Sequence, residues 1–154
     1  MPTGPAARIT DNVAHPLPPV LTPGPGSPTV LIGFLPAWRG IPAAAAAALQ
    51  AAKSVADAAG TPGAPAAYAA EQAAKSAALA SLSSMISSMA GMSDIHSCTT
   101  PSPVPPHGPG VVIDGSQTVL TNNMPQCRLG DTIIEPLGPP NKIIKGEMTV
   151  IVGG

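Results

Sequence analysis

Charge is scarce in this sequence. Lysine, arginine, aspartate and glutamate together make 10% of the 154 residues, and the formal net charge is −1. That is well under the quarter usual for soluble domains. No basic patch is available to track phosphates, which argues against a nucleic-acid partner. Aromatics are scarcer still at 2%, namely Phe34, Trp38 and Tyr68. A large core normally draws on more aromatic area than that. The two cysteines, Cys98 and Cys127, are too few and too far apart for a disulfide framework. The opening MPTGPAARITD has no apolar run, so no secretory signal is read there. No nucleophile elbow and no phosphate loop is present, and an enzyme is not expected.

Proline and glycine, by contrast, are abundant, at 21 and 16. In a polar chain they would signal disorder. Here mean hydropathy is +0.27, and the apolar residues come in short blocks. The expectation is a small, turn-rich β structure with an alanine-rich helical segment. Repeats support it. GSPTVLIGFLPAWRG (Gly26 to Gly40), GSQTVLTNNMPQCRLGD (Gly115 to Asp131) and GEMTVIVGG (Gly146 to Gly154) share Gly-x-x-Thr-Val. The first two go on to a Pro and an Arg at fixed offsets. Each unit reads as strand, turn, strand, with Asn122-Asn123 at the second turn because Asn tolerates positive φ. A second pattern overlaps the first. DNVAH, DIHSC and DTIIE each place a possible metal ligand four residues after Asp11, Asp94 or Asp131. Those aspartates read as turn caps rather than acid–base groups.

Between Ile41 and Met92 the grammar changes. PAAAAAALQAAKSVADAA has strong helix formers with Pro42 at a tolerated first-turn position. GTPGAP (Gly60 to Pro65) breaks it, and a second helix follows. Leu79, Leu82, Ile86 and Met89 make one apolar stripe, and Glu71 and Lys75 form an i,i+4 pair. Lys53 and Asp57 lie mid-span in the first helix, and the uncharged end of the second falls short of a membrane span. A helical hairpin packed through alanines is expected, one that needs the β part or a partner for stability, since alanine buries little area.

The histidines are His15, His96 and His107. Three imidazoles and a thiolate can close a tetrahedral zinc site. His96 and Cys98 sit in one loop, the stiff PSPVPP segment can return His107 to it, and His15 would tie in the far end of the chain. Glu135 stands at the equivalent offset of the third repeat and competes with His96 for a place. Cys127 lies inside a predicted strand, where burial is its expected fate. A β unit with so little core gains from a structural metal, and four protein ligands would leave no open position for catalysis.

These motifs resemble PAAR-repeat proteins. The sequence has PAAR at Pro5 to Arg8, PAWR at Pro36 to Arg39 and PQCR at Pro125 to Arg128, and its opening fits AARxxDxxxH. The resemblance covers the chain apart from the helical segment. It implies a mainly β fold, a small cone of β-hairpins, here with an inserted α-helical hairpin. The cone would comprise 1–40 and 91–154, and the insertion 41–90. It implies one structural Zn2+ held by His15, His96, Cys98 and His107. It implies a tip that caps the trimeric VgrG-type spike of a type VI secretion or related contractile injection system, sharpening it for membrane puncture. Such a tip is assembled in the bacterial cytoplasm, delivered outside by the machine and in transient contact with the target membrane. Residues 41–90 would offer a surface to an effector or chaperone. In the alternative reading the protein is a cargo adaptor acting mainly through that helical hairpin. The sequence departs from the family at Glu135, where a Cys is usual, and at GEMTV, which replaces Gly-Ser-Pro.

Overall fold

The computed structural model describes residues 2–14, 19–58, 68–89, 92–98 and 107–154, with the side chains of 68–72 and 74 outside that description. The fold is mainly β, with short strands and two helices. The hairpins read from the repeats are present. β3 (Leu31–Ile32) pairs with β4 (Leu35–Pro36), and β7 (Leu120–Thr121) pairs with β8 (Met124–Pro125), both antiparallel. Their turns take positive φ at both central residues, 53° and 68° for Gly33-Phe34 and 51° and 65° for Asn122-Asn123. That backbone matches the twist of a two-residue hairpin. The closing repeat finds its second strand at the other end of the chain. β11 (Glu147–Val152) pairs with β1 (Gly4–Ala6), so the Pro5 to Arg8 motif completes the third unit.

The three units meet in a closed ring. Trp38 N–H donates to Ala7 O at 2.9 Å, Cys127 N–H to Trp38 O at 3.0 Å, and Ala7 N–H to Cys127 O at 2.9 Å. A second ring runs beside it. Ile9 donates to Pro36 O, Gly40 to Pro125 O and Leu129 to Pro5 O, at 2.8–2.9 Å. The arrangement is approximately threefold, and the Gln126 amide plugs it. Its Nε2 lies 3.1, 3.3 and 3.0 Å from the oxygens of Ala7, Trp38 and Cys127. Ala7, Trp38 and Cys127 pack around this axis with Val13, Leu21, Val112, Ile133 and Ile143.

The same arginine–aspartate turn follows each ring strand. Arg8, Arg39 and Arg128 donate their backbone N–H to Asp11, Asp94 and Asp131, at 2.8, 2.8 and 2.7 Å, and add guanidinium bonds to the same carboxylate. In two units the partners are three residues apart. In the middle unit the chain leaves after Gly40 and returns at Asp94. Residues 41–93 thus stand where the other units have one residue, Thr10 (φ 68°) or Gly130 (φ 95°).

That inserted segment holds α1 (Ala43–Ala58) and α2 (Tyr68–Ser87). The stripe read from the sequence faces inward. Leu82 and Ile86 are fully buried, and Leu79 and Met89 pack against them. Their partners go beyond alanine. Leu49, Leu82 and Ile86 share one core with Ile95, Val111, Ile113 and Ile134 of the β part. Ile95, Val111 and Ile134 belong to a five-stranded sheet of order β10-β9-β6-β5-β2, built from β2 (Pro23–Gly24), β5 (Ile95–Cys98), β6 (Gly108–Val112), β9 (Thr132–Ile134) and β10 (Asn141–Lys142), and Ile113 directly follows β6. The Glu71 side chain and the 60–65 break lie outside the described residues.

Candidate metal centre

Strand β5 displays its residues with period two, so His96 and Cys98 share a face. Both are buried, while Ser97 between them is half-exposed. β5 pairs with β6 through His96↔Gly110 and Cys98↔Gly108, and β6 pairs with β9 through Val111↔Ile134. His107 precedes β6 and Glu135 follows β9, so the two ends arrive beside Cys98. Gly110 makes the approach possible, because a Cβ there would lie 2.8 Å from Glu135 Cγ.

The ligand atoms of Cys98, His107 and Glu135 lie within 4.8 Å of one another. Glu135 holds the group together. It accepts from His107 Nδ1 at 2.9 Å and from Asn141 Nδ2 at 2.8 Å, and its other oxygen lies 3.7 Å from His96 Nε2. Burial pushes the Glu135 carboxyl above the usual carboxylate range, against the opposing pull of His107 and Asn141. A buried carboxylate beside a thiol and two imidazoles is a donor set that fits a divalent cation of borderline softness. α1 adds a positive charge nearby. Lys53 is buried, its Nζ donates to Pro136 O at 3.3 Å and to Asp57 at 2.6 Å, and its field acts on Glu135.

Of the four residues read as ligands, the structure brings together Cys98 and His107 and sets His96 against Glu135. His15 lies outside the described residues. Cys127 is fully buried at the ring, where burial drives its thiol well above its ordinary range, and it takes no part in the group.

Residues 102–154 match the family described as the PAAR motif. The chain carries a PAAR motif. The match supports the resemblance over that span, which contains the His107–Glu135 half of the candidate centre. No curated protein and no solved structure matches the chain. The sequence reading had the three motif arginines and the three aspartates but missed the ion pairs that they make in the turns. Their signal was there, as Arg-x-x-Asp in ARITD and RLGD. It was hidden in the middle repeat, where the helices separate Arg39 from Asp94. Among the described residues, no helix is long and apolar enough to cross a membrane.

Proposed function

We propose that the protein is a non-enzymatic spike tip that caps the trimeric VgrG-type spike of a type VI secretion or related contractile injection system. The PAAR motif supports a role of the spike-tip type in general. The observation that carries the finer reading is the repeat of one edge three times. Leu31, Leu120 and Ile151 stand at equivalent register opposite Pro36, Pro125 and Pro5, and are 62%, 56% and 61% exposed. An approximately threefold set of apolar side chains suits a threefold partner, since each subunit then meets a similar patch. Zinc is the proposed ion, with His15, His96, Cys98 and His107 as ligands and Glu135 contesting the place of His96. It would contribute on the order of 10 kcal/mol to folding and stiffen the loops that meet the target membrane. Contact with an effector or chaperone falls to the insertion. There the stripe of α2 is already covered, so the exposed face of α1 around Val55 is the available surface.

The test is reconstitution with a trimeric spike protein. One tip per trimer is expected, with one zinc per chain by elemental analysis. Leu120→Asp combined with Ile151→Asp should abolish docking while leaving the melting temperature within a few degrees. Docking that survives both changes refutes the base reading, and a metal-free yet equally stable chain refutes the zinc reading.

A further inference from the structure

The three repeats bury the same arginine with different partners. Beyond its own aspartate, each guanidinium has donors to place. Arg8 Nη1 donates to the Glu147 carboxylate at 2.6 Å. Arg128 Nη1 donates to the main-chain oxygens of Pro2 and Gly154, at 2.8 and 3.0 Å. Arg39 Nη2 reaches Gly26 O at 3.2 Å and Asp94 at 2.9 Å, and its Nε binds Asp94, but Nη1 meets no acceptor among the described residues. Yet the Arg39 side chain is only 5% exposed. Nη1 itself is turned to open space rather than sealed in the core, and a charged donor so placed can take an acceptor from outside.

The cause lies at one position. Glu147 stands in the closing repeat where Ser27 stands in the first. The Ser27 hydroxyl is engaged elsewhere. It donates to Asn122 Oδ1 and accepts from Val30 N–H at 2.9 Å. Where the closing repeat has a carboxylate, the first has space. Arg39 lines a cavity of about 440 Å³ whose other walls are Pro25, Pro28, Leu31 and Pro36, with Gly26 and Ser27. Arg39 is the one charged residue in that lining.

We propose that this cavity binds an acidic peptide segment. A Glu or Asp carboxylate takes Arg39 Nη1 as Glu147 takes Arg8 Nη1, and an adjoining apolar side chain packs on the prolines and Leu31. A carboxylate is favoured over a carbonyl because its bond to a guanidinium is charge-assisted. The segment belongs to the trimeric partner, and in this respect the inference rests on the spike reading. Leu31 connects the cavity to the proposed docking edge. A trimer offers three copies of any segment, but Glu147, Pro2 and Gly154 already occupy the equivalent places in the other repeats. One subunit of three is therefore engaged.

The test needs no spike. Acetyl-Leu-Glu-amide is titrated into the 15N-labelled full chain while the Gly26 and Ser27 amide resonances are followed. A saturable shift is expected, at least tenfold weaker for acetyl-Leu-Gln-amide. Ser27→Glu supplies the carboxylate internally and should abolish the response. Leu31→Asp, at an exposed position, should weaken it tenfold or more by repulsion and serves where Ser27→Glu does not fold. No saturable shift in the wild type overturns the proposal, as does equal binding of the two peptides or unchanged binding in a folded variant. Failure here with docking intact rejects this site alone, while failure of docking with the peptide response intact rejects the partner reading alone.

Discussion

Gln126 meets three carbonyl oxygens with one nitrogen, and its own oxygen accepts from Thr121 Oγ1 at 2.6 Å. Gln126→Met keeps the bulk and removes the amide. The three carbonyls retain their ring N–H donors, but the buried Thr121 hydroxyl loses its acceptor. A loss of about 1–3 kcal/mol is expected, read as a lower urea midpoint with unchanged slope, and an unchanged midpoint would show the plug to be idle. Asp131 gives a second residue-scale prediction. Burial outweighs its bonds to Arg128 and raises its carboxyl to about 6, from an ordinary 3.8. The folded state then binds a proton more readily than the unfolded chain between those values, so this group stabilises the fold as pH falls. Wild type should gain stability relative to Asp131→Asn as pH drops from about 6 to about 4, and a flat difference across that window contradicts the shift. Single residues were unevenly legible in the sequence. His96, Cys98 and His107 stood out because reactive side chains are rare here. Gln126 did not, because nothing in PQCR announces that its amide will close a ring formed by three distant segments.

At the scale of elements, strands of two or three residues carry no usable periodicity, so the repeats, not alternation, revealed the hairpins. The Leu79–Met89 stripe made α2 readable, whereas its partners on β5, β6 and β9 were not, because a stripe does not name the surface it meets. The third hairpin was half-visible, since TVIVGG needs a strand from the opposite terminus. The insertion sits between two fixed points. Gly40 keeps its ring bond and Asp94 N–H donates to Arg39 O at 3.0 Å, much as Asp11 and Asp131 do in their turns at 3.2 Å. Replacing 41–93 by a single glycine, in the manner of Gly130, should therefore preserve the ring and spike docking. It also strips Leu49, Leu82 and Ile86 from Ile95, Val111, Ile113 and Ile134. Each uncovered side chain forfeits roughly 1.5–3 kcal/mol of burial. The shortened chain should dock, yet melt well below the full chain and bind an apolar dye. Loss of docking would instead favour the adaptor reading.

At the scale of the whole molecule, two kinds of closure hold the repeats together. One is the backbone ring around Ala7, Trp38 and Cys127, which involves all three units and needs no ion. The other is the group at Cys98, His107 and Glu135, which gathers the ends of β5, β6 and β9. Under the proposed zinc-bound state the two should fail separately. Removal of the ion leaves Glu135 buried beside His107 and Asn141, in the field of Lys53, without the cation's charge. The ring keeps every one of its bonds. Hydrogen exchange after chelation should therefore speed up at the amides of Ser97 and Leu137, which bind Thr22 O and His107 O beside the centre. The amides of Ala7, Trp38 and Cys127 should stay protected, and added zinc should restore the slow pattern. Uniform acceleration across both sets would mean that the ion supports the entire cone, and no acceleration at either would mean that the centre carries no load.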